Sequence, residues 1–148
     1  ESRREHYFAI LTAHPSVKFG VGQADVAEID ALNILHATHL AMSRALARLD
    51  FIPDHTLVDG LPVPGLPCPS TAIVGGDGLS LSIAAASVIA KVTRDHLMLE
   101  LDRQYPVYGF ARHKGYGTKE HLEALRLHGP ASCHRKSFAP VRQMVLDL

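Results

Sequence analysis

The chain has 148 residues, of which 47% are hydrophobic, and its 15 basic side chains balance 15 acidic ones. This length allows one domain with its own core and leaves no room for two domains of ordinary size. The balanced charge excludes a uniformly basic nucleic-acid-binding protein, and the longest weakly polar stretch, residues 79–92, is too short and too often interrupted to span a membrane.

The first part of the chain alternates helical and extended patterns. A helix is predicted over residues 2–13, and a half-buried strand over residues 17–21, where apolar residues alternate with lysine or glycine. Apolar residues at helical spacing predict a second helix from Asp30 or Asn33 to Leu49. A short strand over residues 55–59 follows this helix.

From residue 61 onward we predict a proline-rich loop, a strand, a long helix, a glycine-spaced loop and two more helices. Their bounds are 61–70, 71–75, 79–104, 108–117, 118–128 and 137–148. Thr118 is the expected N-cap of the first of the two last helices. Because strands and helices interleave, we expect an α/β layer with at least one parallel pair of strands, in a single domain.

Two aspartates follow predicted strands, and each precedes a glycine. Asp59 ends a short apolar run before Gly60, and Asp77 stands in the segment Gly75–Gly78 ahead of the long helix. Ligands bind at the carboxyl edge of open α/β sheets, and hard divalent cations prefer carboxylate oxygens. Two carboxylates repel each other unless a cation lies between them, so the pattern predicts a shared metal site. The structural alternative is an Asp-Gly turn at Asp59 and a helix cap at Asp77.

A second candidate site is the segment His113–Thr118, which combines basic side chains, two glycines and a tyrosine. The glycines would let the backbone approach a ligand closely. Lys114 offers a positive charge to phosphate, and Tyr116 can stack on a sugar or a base. The alternative is a mobile surface loop without a ligand.

Other charged and ionisable residues are interpreted mainly as structural or peripheral. Lys91, near the small-residue face of the long helix, is a further phosphate-binding candidate, whereas Arg94 is expected to be a surface charge. The ten histidines do not show zinc-ligand spacing, so most are expected at the surface or in the core. The segment 134–136 is expected to be a solvated basic cluster at the rim of a nucleic-acid site.

Several strings of residues resemble, in order along nearly the whole chain, those of the bacterial type 2 ribonuclease H family. The longest are residues 83–95 (IAAASVIAKVTRD) and 113–118 (HKGYGT). The shorter ones are residues 28–34 (EIDALNI), 57–60 (LVDG), 76–77 (GD), 108–111 (YGFA) and 134–140 (HRKSFAP).

The resemblance implies an α/β fold of the ribonuclease H-like type, with a mixed sheet flanked by helices. It also implies cleavage of the RNA strand of RNA–DNA hybrids and cleavage beside single ribonucleotides in duplex DNA. Four carboxylates hold Mg²⁺ or Mn²⁺ in that family, and Asp59 and Asp77 correspond to the third and fourth. Tyr116 corresponds to the tyrosine that contacts the ribose bearing the 2′-hydroxyl. Phosphate contacts are expected from three further residues: Lys91, Lys114 and His113.

One departure from the family concerns its opening segment. This is a strand ending in Asp-Glu-Ala-Gly-Arg-Gly, which supplies the first two carboxylates and has no counterpart in residues 1–148. The chain is therefore expected to be an N-terminally incomplete domain that lacks the family's first strands and is inactive by itself. A non-catalytic module that binds hybrids and a poorly folded gene fragment remain as alternatives.

The expected setting follows from simple features of the sequence. Cys68 and Cys133 lack metal-ligand spacing and are expected to be reduced thiols. No signal peptide opens the chain, so the cytoplasm is the expected compartment, without a membrane partner. A monomer is the simplest expectation for the oligomeric state.

Overall fold

The computed structural model describes residues 2–146, with side chains described as far as residue 143. In this range the elements are α1 (Ser2–Ala13), α2 (Val26–Ala47), β1 (Thr56–Asp59), β2 (Ser70–Ile73), α3 (Leu81–Gln104), α4 (Phe110–His113), α5 (Lys119–His128) and α6 (Ala139–Leu146). Two 3-10 turns, Gly76–Gly78 and Pro106–Tyr108, precede α3 and α4. None of the helices in the described range combines the length and the apolar character that a membrane crossing requires.

The described chain divides into two compact units. Unit 1 runs to Ala24 and resumes from Leu35 to Val92, whereas unit 2 comprises Asp25–Ile34 and the described chain from Thr93 onward. Helices α2 and α3 each contribute residues to both units. The single domain expected for residues 1–148 stays a prediction.

Unit 1 contains a sheet of two parallel strands, as predicted. Thr56 of β1 is opposite Ser70 of β2, and Asp59 is opposite Ile73. The ladder continues past β1, because the backbone N–H of Gly60 donates to the carbonyl of Ile73 at 2.9 Å. The two strands begin and end within two residues of their predicted bounds. Among the apolar side chains buried in this unit are Val58, Val63, Ile83, Ile89 and Val92.

Residues 17–21 do not form the predicted strand. This segment lies against α2 instead. A Cβ atom added to Gly20 would come within 2.2 Å of the carbonyl oxygen of Ala45, and one added to Gly22 within 1.9 Å of that of Ala41. The glycines therefore allow close packing of backbone on a helix, and the two-residue alternation arises without a partner strand.

Helix α2 starts earlier than predicted because a capping box precedes it. Asp25 Oδ1 accepts a hydrogen bond from the N–H of Glu28 at 2.8 Å, and Glu28 Oε2 accepts one from the N–H of Asp25 at 2.9 Å. These two bonds satisfy backbone donors at the first turn. The helix is interrupted at Asn33, which has φ 66° and ψ 166°, so the predicted start at Asn33 coincides with this break.

Unit 2 is built around a cluster of buried aromatic and aliphatic side chains. Its members are Tyr108, Phe110, Ala124, Leu125 and Val141. The segment predicted as a loop, residues 108–117, instead contains the end of a 3-10 turn and the short helix α4. Tyr108 and Phe110, which are separated by one glycine, are both buried in the core, and their rings stack with centroids 5.5 Å apart. The backbone of this segment places both side chains on the same side.

The last two helices agree with the sequence pattern. Thr118 caps α5, since its Oγ1 accepts a hydrogen bond from the N–H of His121 at 3.3 Å. Gly129 follows the helix with φ 70°, a conformation that favours glycine. Helix α6 lies within the predicted range 137–148, of which residues 147 and 148 lie outside the described residues.

A carboxylate from the start of α2 fixes the segment that leads into α6. Asp30 Oδ2 accepts a hydrogen bond from the N–H of Lys136 at 2.8 Å, and its Oδ1 accepts from the N–H and the hydroxyl of Ser137 at 2.9 and 2.6 Å. The hydroxyl bond from Ser137 is the main reason that the pKa of Asp30 is lowered from its ordinary value. Asp30 therefore binds this segment as an anion.

Candidate functional site

The two predicted carboxylates lie at the carboxyl end of the sheet in unit 1. Asp59 is the last residue of β1, and Asp77 lies in the 3-10 turn that follows β2. Asp59 Oδ1 accepts a hydrogen bond from the backbone N–H of Gly76 at 2.8 Å. This bond fixes the residue directly before Asp77 to the side chain of Asp59. Both aspartates are exposed to solvent, so their free oxygens can reach a ligand.

Gly76 allows this close approach because it has no side chain. It is buried, and an added Cβ atom would come within 2.5 Å of Ile83 Cδ1 and 3.3 Å of Ile73 Cβ. The same added atom would lie 3.4 Å from Asp59 Oδ1. The preceding Gly75 has φ 66°, in the left-handed region that favours glycine. The turn that carries Asp77 is thus shaped by two successive glycines.

The donor set fits part of a divalent cation site. Among the described residues, Asp59 commits only Oδ1 to a hydrogen bond, and the Asp77 carboxylate has no hydrogen-bond partner. Over the same range, no group of three or more His, Cys, Asp or Glu side chains is arranged to hold a metal ion. Mg²⁺ commonly takes one or two carboxylates and completes its shell with water and substrate phosphate. The pair therefore fits that role, and sharing of one ion by Asp59 and Asp77 stays a prediction.

The predicted substrate-contacting residues are divided between the two units. Lys91 belongs to unit 1, where it is half-buried on α3. Tyr116, Lys114 and His113 belong to unit 2 and lie at the end of α4 and in the turn that follows it. Their contacts with a nucleic acid stay predictions.

The backbone after α4 makes a tight turn that presents Tyr116 outward. Lys114 has φ 51° and ψ 34°, an uncommon conformation for a residue other than glycine, and Gly115 continues it with φ 78°. The N–H of Lys114 donates to the carbonyl of Phe110 at 2.8 Å, and the N–H of Tyr116 donates to the carbonyl of His113 at 2.9 Å. The side chain of Tyr116 is 61% exposed. The ring is therefore available to a ligand although its backbone is fixed.

Arg94 of α3 holds this turn from one side, a role that the sequence did not indicate. Its Nη2 donates to the carbonyl of Lys114 at 2.8 Å, and its Cζ lies 5.3 Å from the centroid of the Tyr116 ring. The expectation that Arg94 is a surface charge agrees with its exposure, but the sequence did not indicate these two contacts. Its partners are about 20 positions away in the chain, so only its presence in the family-like string of residues 83–95 could have drawn attention to it.

His113 supports the same turn from the core. It is 6% exposed, and its Nε2 lies 2.6 Å from the carbonyl oxygen of Tyr108. The backbone N–H of Gly115 donates to its Nδ1 at 3.2 Å. Both ring nitrogens therefore have partners, so a contact between His113 and phosphate would require one of these bonds to be released.

Two further buried histidines, His121 and His134, pack next to His113. The rings of His113 and His121 stack with centroids 4.4 Å apart. His121 Nδ1 lies 2.9 Å from the carbonyl oxygen of Tyr116, and its Nε2 lies 3.2 Å from Nε2 of His134. His134 is 8% exposed, so the interpretation of this histidine as part of a solvated cluster is wrong. Sequence spacing gave no signal for this group, because its members come from three different segments.

Burial disfavours the charged form of the inner histidines. Loss of water around the imidazole lowers the pKa of His121 and of His134 from the ordinary value, because the charged form is disfavoured away from solvent. The neighbouring His113 lowers the pKa of both rings further.

Comparison with known proteins gives consistent matches along the chain. A family model described as Ribonuclease HII matches residues 2–141. A relative from Desulfitobacterium hafniense (strain DSM 10664 / DCB-2), named Ribonuclease HII, is 55% identical over 145 residues, which cover 98% of this chain and 55% of the relative. Another of that name, from Magnetococcus marinus, is 56% identical over 146 residues, covering 97% of this chain and 68% of its own length. The chain thus spans about half the length of the Desulfitobacterium relative.

A solved structure has the same fold. The crystal structure of the ribonuclease H2 from Pyrococcus horikoshii OT3 superposes with a TM-score of 0.80, covering 99% of this chain and 76% of that one, at 23% sequence identity. Identity at this level bears on the fold alone. The predicted α/β fold of the ribonuclease H-like type is confirmed, with one parallel pair of strands in the described residues.

Proposed function

Because the chain belongs to the ribonuclease HII family, we propose that it is the main part of a metal-dependent endonuclease that cuts the RNA strand of RNA–DNA hybrids. We further propose that it cuts beside single ribonucleotides embedded in duplex DNA. The observation that supports this most directly is the hydrogen bond between Asp59 Oδ1 and the N–H of Gly76. It sets two exposed carboxylates at one end of the sheet, at the positions that the family resemblance assigns to metal ligands.

Asp59 and Asp77 would hold Mg²⁺ or Mn²⁺ through their uncommitted oxygens. Such a cation supplies Lewis-acid stabilisation to the phosphate and lowers the pKa of bound water. Gly76 keeps the Asp77 turn close to β1, so the separation of the two carboxylates does not depend on a flexible loop. Lys91, half-buried on α3 of the same unit, is proposed to contact a phosphate.

Tyr116 and Lys114 would recognise the substrate from unit 2. The exposed Tyr116 ring, contacted on one side by the Arg94 guanidinium, is proposed to lie against the ribose and to test for its 2′-hydroxyl. Lys114 would place one positive charge near a phosphate, which positions a strand without reading its sequence. A contact from His113 remains part of this proposal only if its bond to Tyr108 or Gly115 opens.

Cleavage of short duplexes tests the catalytic proposal. We expect no cleavage by the 148 residues alone, because the resemblance assigns two of four carboxylates to a segment that they do not contain. We expect cleavage in Mg²⁺ or Mn²⁺ at a single ribonucleotide, and of a hybrid, when a relative's Asp-Glu-Ala-Gly-Arg-Gly segment is joined ahead of this chain. Loss of that cleavage in Asp59→Asn and Asp77→Asn would support the assignment, whereas full activity in both would contradict it.

A second candidate, a non-catalytic module that binds hybrids, is favoured by the Tyr116 turn. That turn is held by contacts from within unit 2 itself. Tighter binding of a ribonucleotide-containing duplex than of an all-DNA duplex, weakened by salt and without cleavage in the joined protein, would favour this candidate. A non-cooperative melt of the 148 residues would favour a poorly folded fragment instead.

A further inference from the structure

We propose that His121 and His134 are positioning residues that hold the Tyr116 turn, residues 113–117, in one backbone conformation through a chain of hydrogen-bonded neutral imidazoles. The inference deepens the proposed function, and its link to ribose recognition rests on the role proposed for Tyr116. The hydrogen-bond chain itself can be tested without that role.

The partners of His121 determine which of its nitrogens carries the proton. Its Nδ1 lies 2.9 Å from the carbonyl oxygen of Tyr116. A carbonyl oxygen can only accept, so Nδ1 must donate. The neutral ring then has a bare Nε2, and the atom facing it at 3.2 Å, Nε2 of His134, must donate to it.

The same logic determines the protonation of the other two rings. His134 Nδ1 lies 3.0 Å from the backbone N of Ala131 and 3.3 Å from its carbonyl oxygen, and that carbonyl already accepts from the backbone N–H of His134 at 3.0 Å. We therefore assign Nδ1 as the acceptor of the Ala131 N–H, which agrees with a proton on Nε2. His113 donates from Nε2 to the carbonyl of Tyr108, and its Nδ1 accepts from the N–H of Gly115. With all three imidazoles neutral, the ring N–H of each histidine therefore faces one of these acceptors, and its bare nitrogen faces one of these N–H donors.

A single added proton would break this agreement. On His121 it would occupy Nε2 and face the N–H of His134. On His113 it would occupy Nδ1 and face the N–H of Gly115. The three rings are 6%, 2% and 8% exposed in chain order, so water cannot readily replace a lost partner. The Phe110 ring, 5.5 Å from that of His121, covers one side of it and offers no hydrogen bond that could replace a lost partner.

Hydrogen bonds from these rings fix the backbone on both sides of the Tyr116 Cα atom. His113 fixes the N–H of Gly115, the residue before it, and His121 fixes the carbonyl of Tyr116 itself. These bonds set the direction in which the Tyr116 side chain leaves the backbone. A residue fixed in its binding conformation loses less entropy when it meets a ligand. The histidines therefore promote recognition although none of them needs to touch the substrate.

The first experiment measures the protonation pattern in the unaltered 148-residue protein. Nitrogen-15 NMR of the imidazoles at about pH 7.5 should show His121 protonated on Nδ1 and both His113 and His134 protonated on Nε2. This readout does not depend on any variant folding. The opposite tautomer at His121, or a charged ring at this pH, would overturn the proposal.

The second experiment compares two replacements of His121. His121→Asn keeps an N–H donor near the position of Nδ1, whereas His121→Phe keeps a ring and loses both nitrogens. In His121→Phe we expect faster amide exchange at residues 115–117, and a preference for a ribonucleotide-containing duplex over the matched all-DNA duplex reduced about 3- to 10-fold. His121→Asn should keep most of both properties.

His128→Phe is the matched control, because it makes the same change at the exposed end of the same helix. It should leave amide exchange and preference unchanged. If folded His121→Phe matches the unaltered protein in both measurements, or if Asn impairs the turn as much as Phe, the positioning role is wrong. If the unaltered protein shows no preference for the ribonucleotide, the proposed function of Tyr116 fails, and the tautomers and amide exchange still decide the positioning role.

Discussion

The guanidinium carbon of Arg94 lies 5.3 Å from the centroid of the exposed Tyr116 ring. The same side chain donates a hydrogen bond to the carbonyl of Lys114, two residues before that tyrosine. Arg94 therefore contacts both the backbone and the ring of the turn that we propose to recognise ribose. A planar guanidinium can make both contacts at once, whereas an ammonium group cannot stack in this way.

Replacement of Arg94 by lysine should weaken ribonucleotide recognition while the charge is kept. We expect affinity for a duplex with one ribonucleotide to fall about 3- to 10-fold, because a cation–π contact and a hydrogen bond are lost. Fluorescence anisotropy at several salt concentrations measures this change. The salt slope should stay the same, since Arg94 acts on Tyr116 and not on a phosphate. Arg103→Lys, an exposed change on the same helix, is the control, and a decreased slope in Arg94→Lys would contradict the positioning role.

Gly76→Ala should destabilise the turn that carries Asp77. The new Cβ would meet Ile83 Cδ1 at 2.5 Å and Ile73 Cβ at 3.3 Å, so we expect a loss of about 1–3 kcal/mol in the free energy of unfolding. Urea unfolding measures it. Adding Ile83→Val removes the nearer atom and should recover part of the loss. Gly78→Ala is the matched control, because no atom lies within 4 Å of its added Cβ; an equal loss there would contradict the steric explanation.

Asp59→Asn and Asp77→Asn should each weaken divalent-cation binding by this chain. An amide oxygen carries no charge, so each change removes one of the two anionic donors that favour a hard cation. Titration with Mn²⁺, followed by water-proton relaxation, should show at least about a tenfold loss of affinity, equivalent to about 1.4 kcal/mol. Asp54→Asn, an exposed change in the loop before β1, should have no effect. Unchanged Mn²⁺ affinity in both site variants would exclude this pair as ligands.

Asp30→Asn should destabilise the protein at neutral pH but not in acid. The pKa of Asp30 is lowered in the folded state, mainly by the Ser137 hydroxyl. The resulting stabilisation is present above the ordinary carboxyl pKa of 3.8 and is lost as pH falls through the lower folded value. We expect the variant to lose about 1–2 kcal/mol at pH 7, discounted for the exposed site. Urea unfolding at several pH values should show this difference shrinking below about pH 4, whereas Asp50→Asn should show none.

Stability should also fall as the inner histidines become protonated in the unfolded chain. The pKa of His121 and His134 is lowered on folding, so the unfolded state binds more protons below the ordinary value of 6.5. Stability is then complete above about pH 6.5 and decreases below it, by no more than about 1.4 kcal/mol per pH unit for each proton. The ionisable groups that face this pair are His113, Tyr108 and Cys133. His134→Gln keeps a donor toward His121 but removes one titrating group, so it should make the free energy of unfolding less dependent on pH below 6.5. An unchanged pH dependence in this variant would contradict the role of His134.

Local patterns predicted the elements of this fold better than they predicted its contacts. Helix α5 follows from Thr118 and Gly129, and the parallel pair follows from two apolar runs that each end near a glycine. The segment 17–21 was mistaken because an alternating pattern does not tell a partner strand from a helix surface. Asp59 and Asp77 could be found from the sequence because one ends a short apolar run and the other closely follows one, and each precedes a glycine. The contacts of Arg94 and of the buried histidines His113, His121 and His134 could not be predicted, because they join side chains that are distant in the sequence and meet only after folding.

The parallel register of β1 and β2 has a consequence for insertions. Asp59 is opposite Ile73 in the ladder. The number of residues from Ile73 to Gly76 therefore determines whether the N–H of Gly76 reaches the Asp59 carboxylate. Residues added to the proline-rich loop before Ser70 would leave that number unchanged. One residue added between Ile73 and Gly76 would displace the turn by about 3.3 Å and separate Gly76 from Asp59. Length variation should therefore be tolerated before β2 and rejected directly after it.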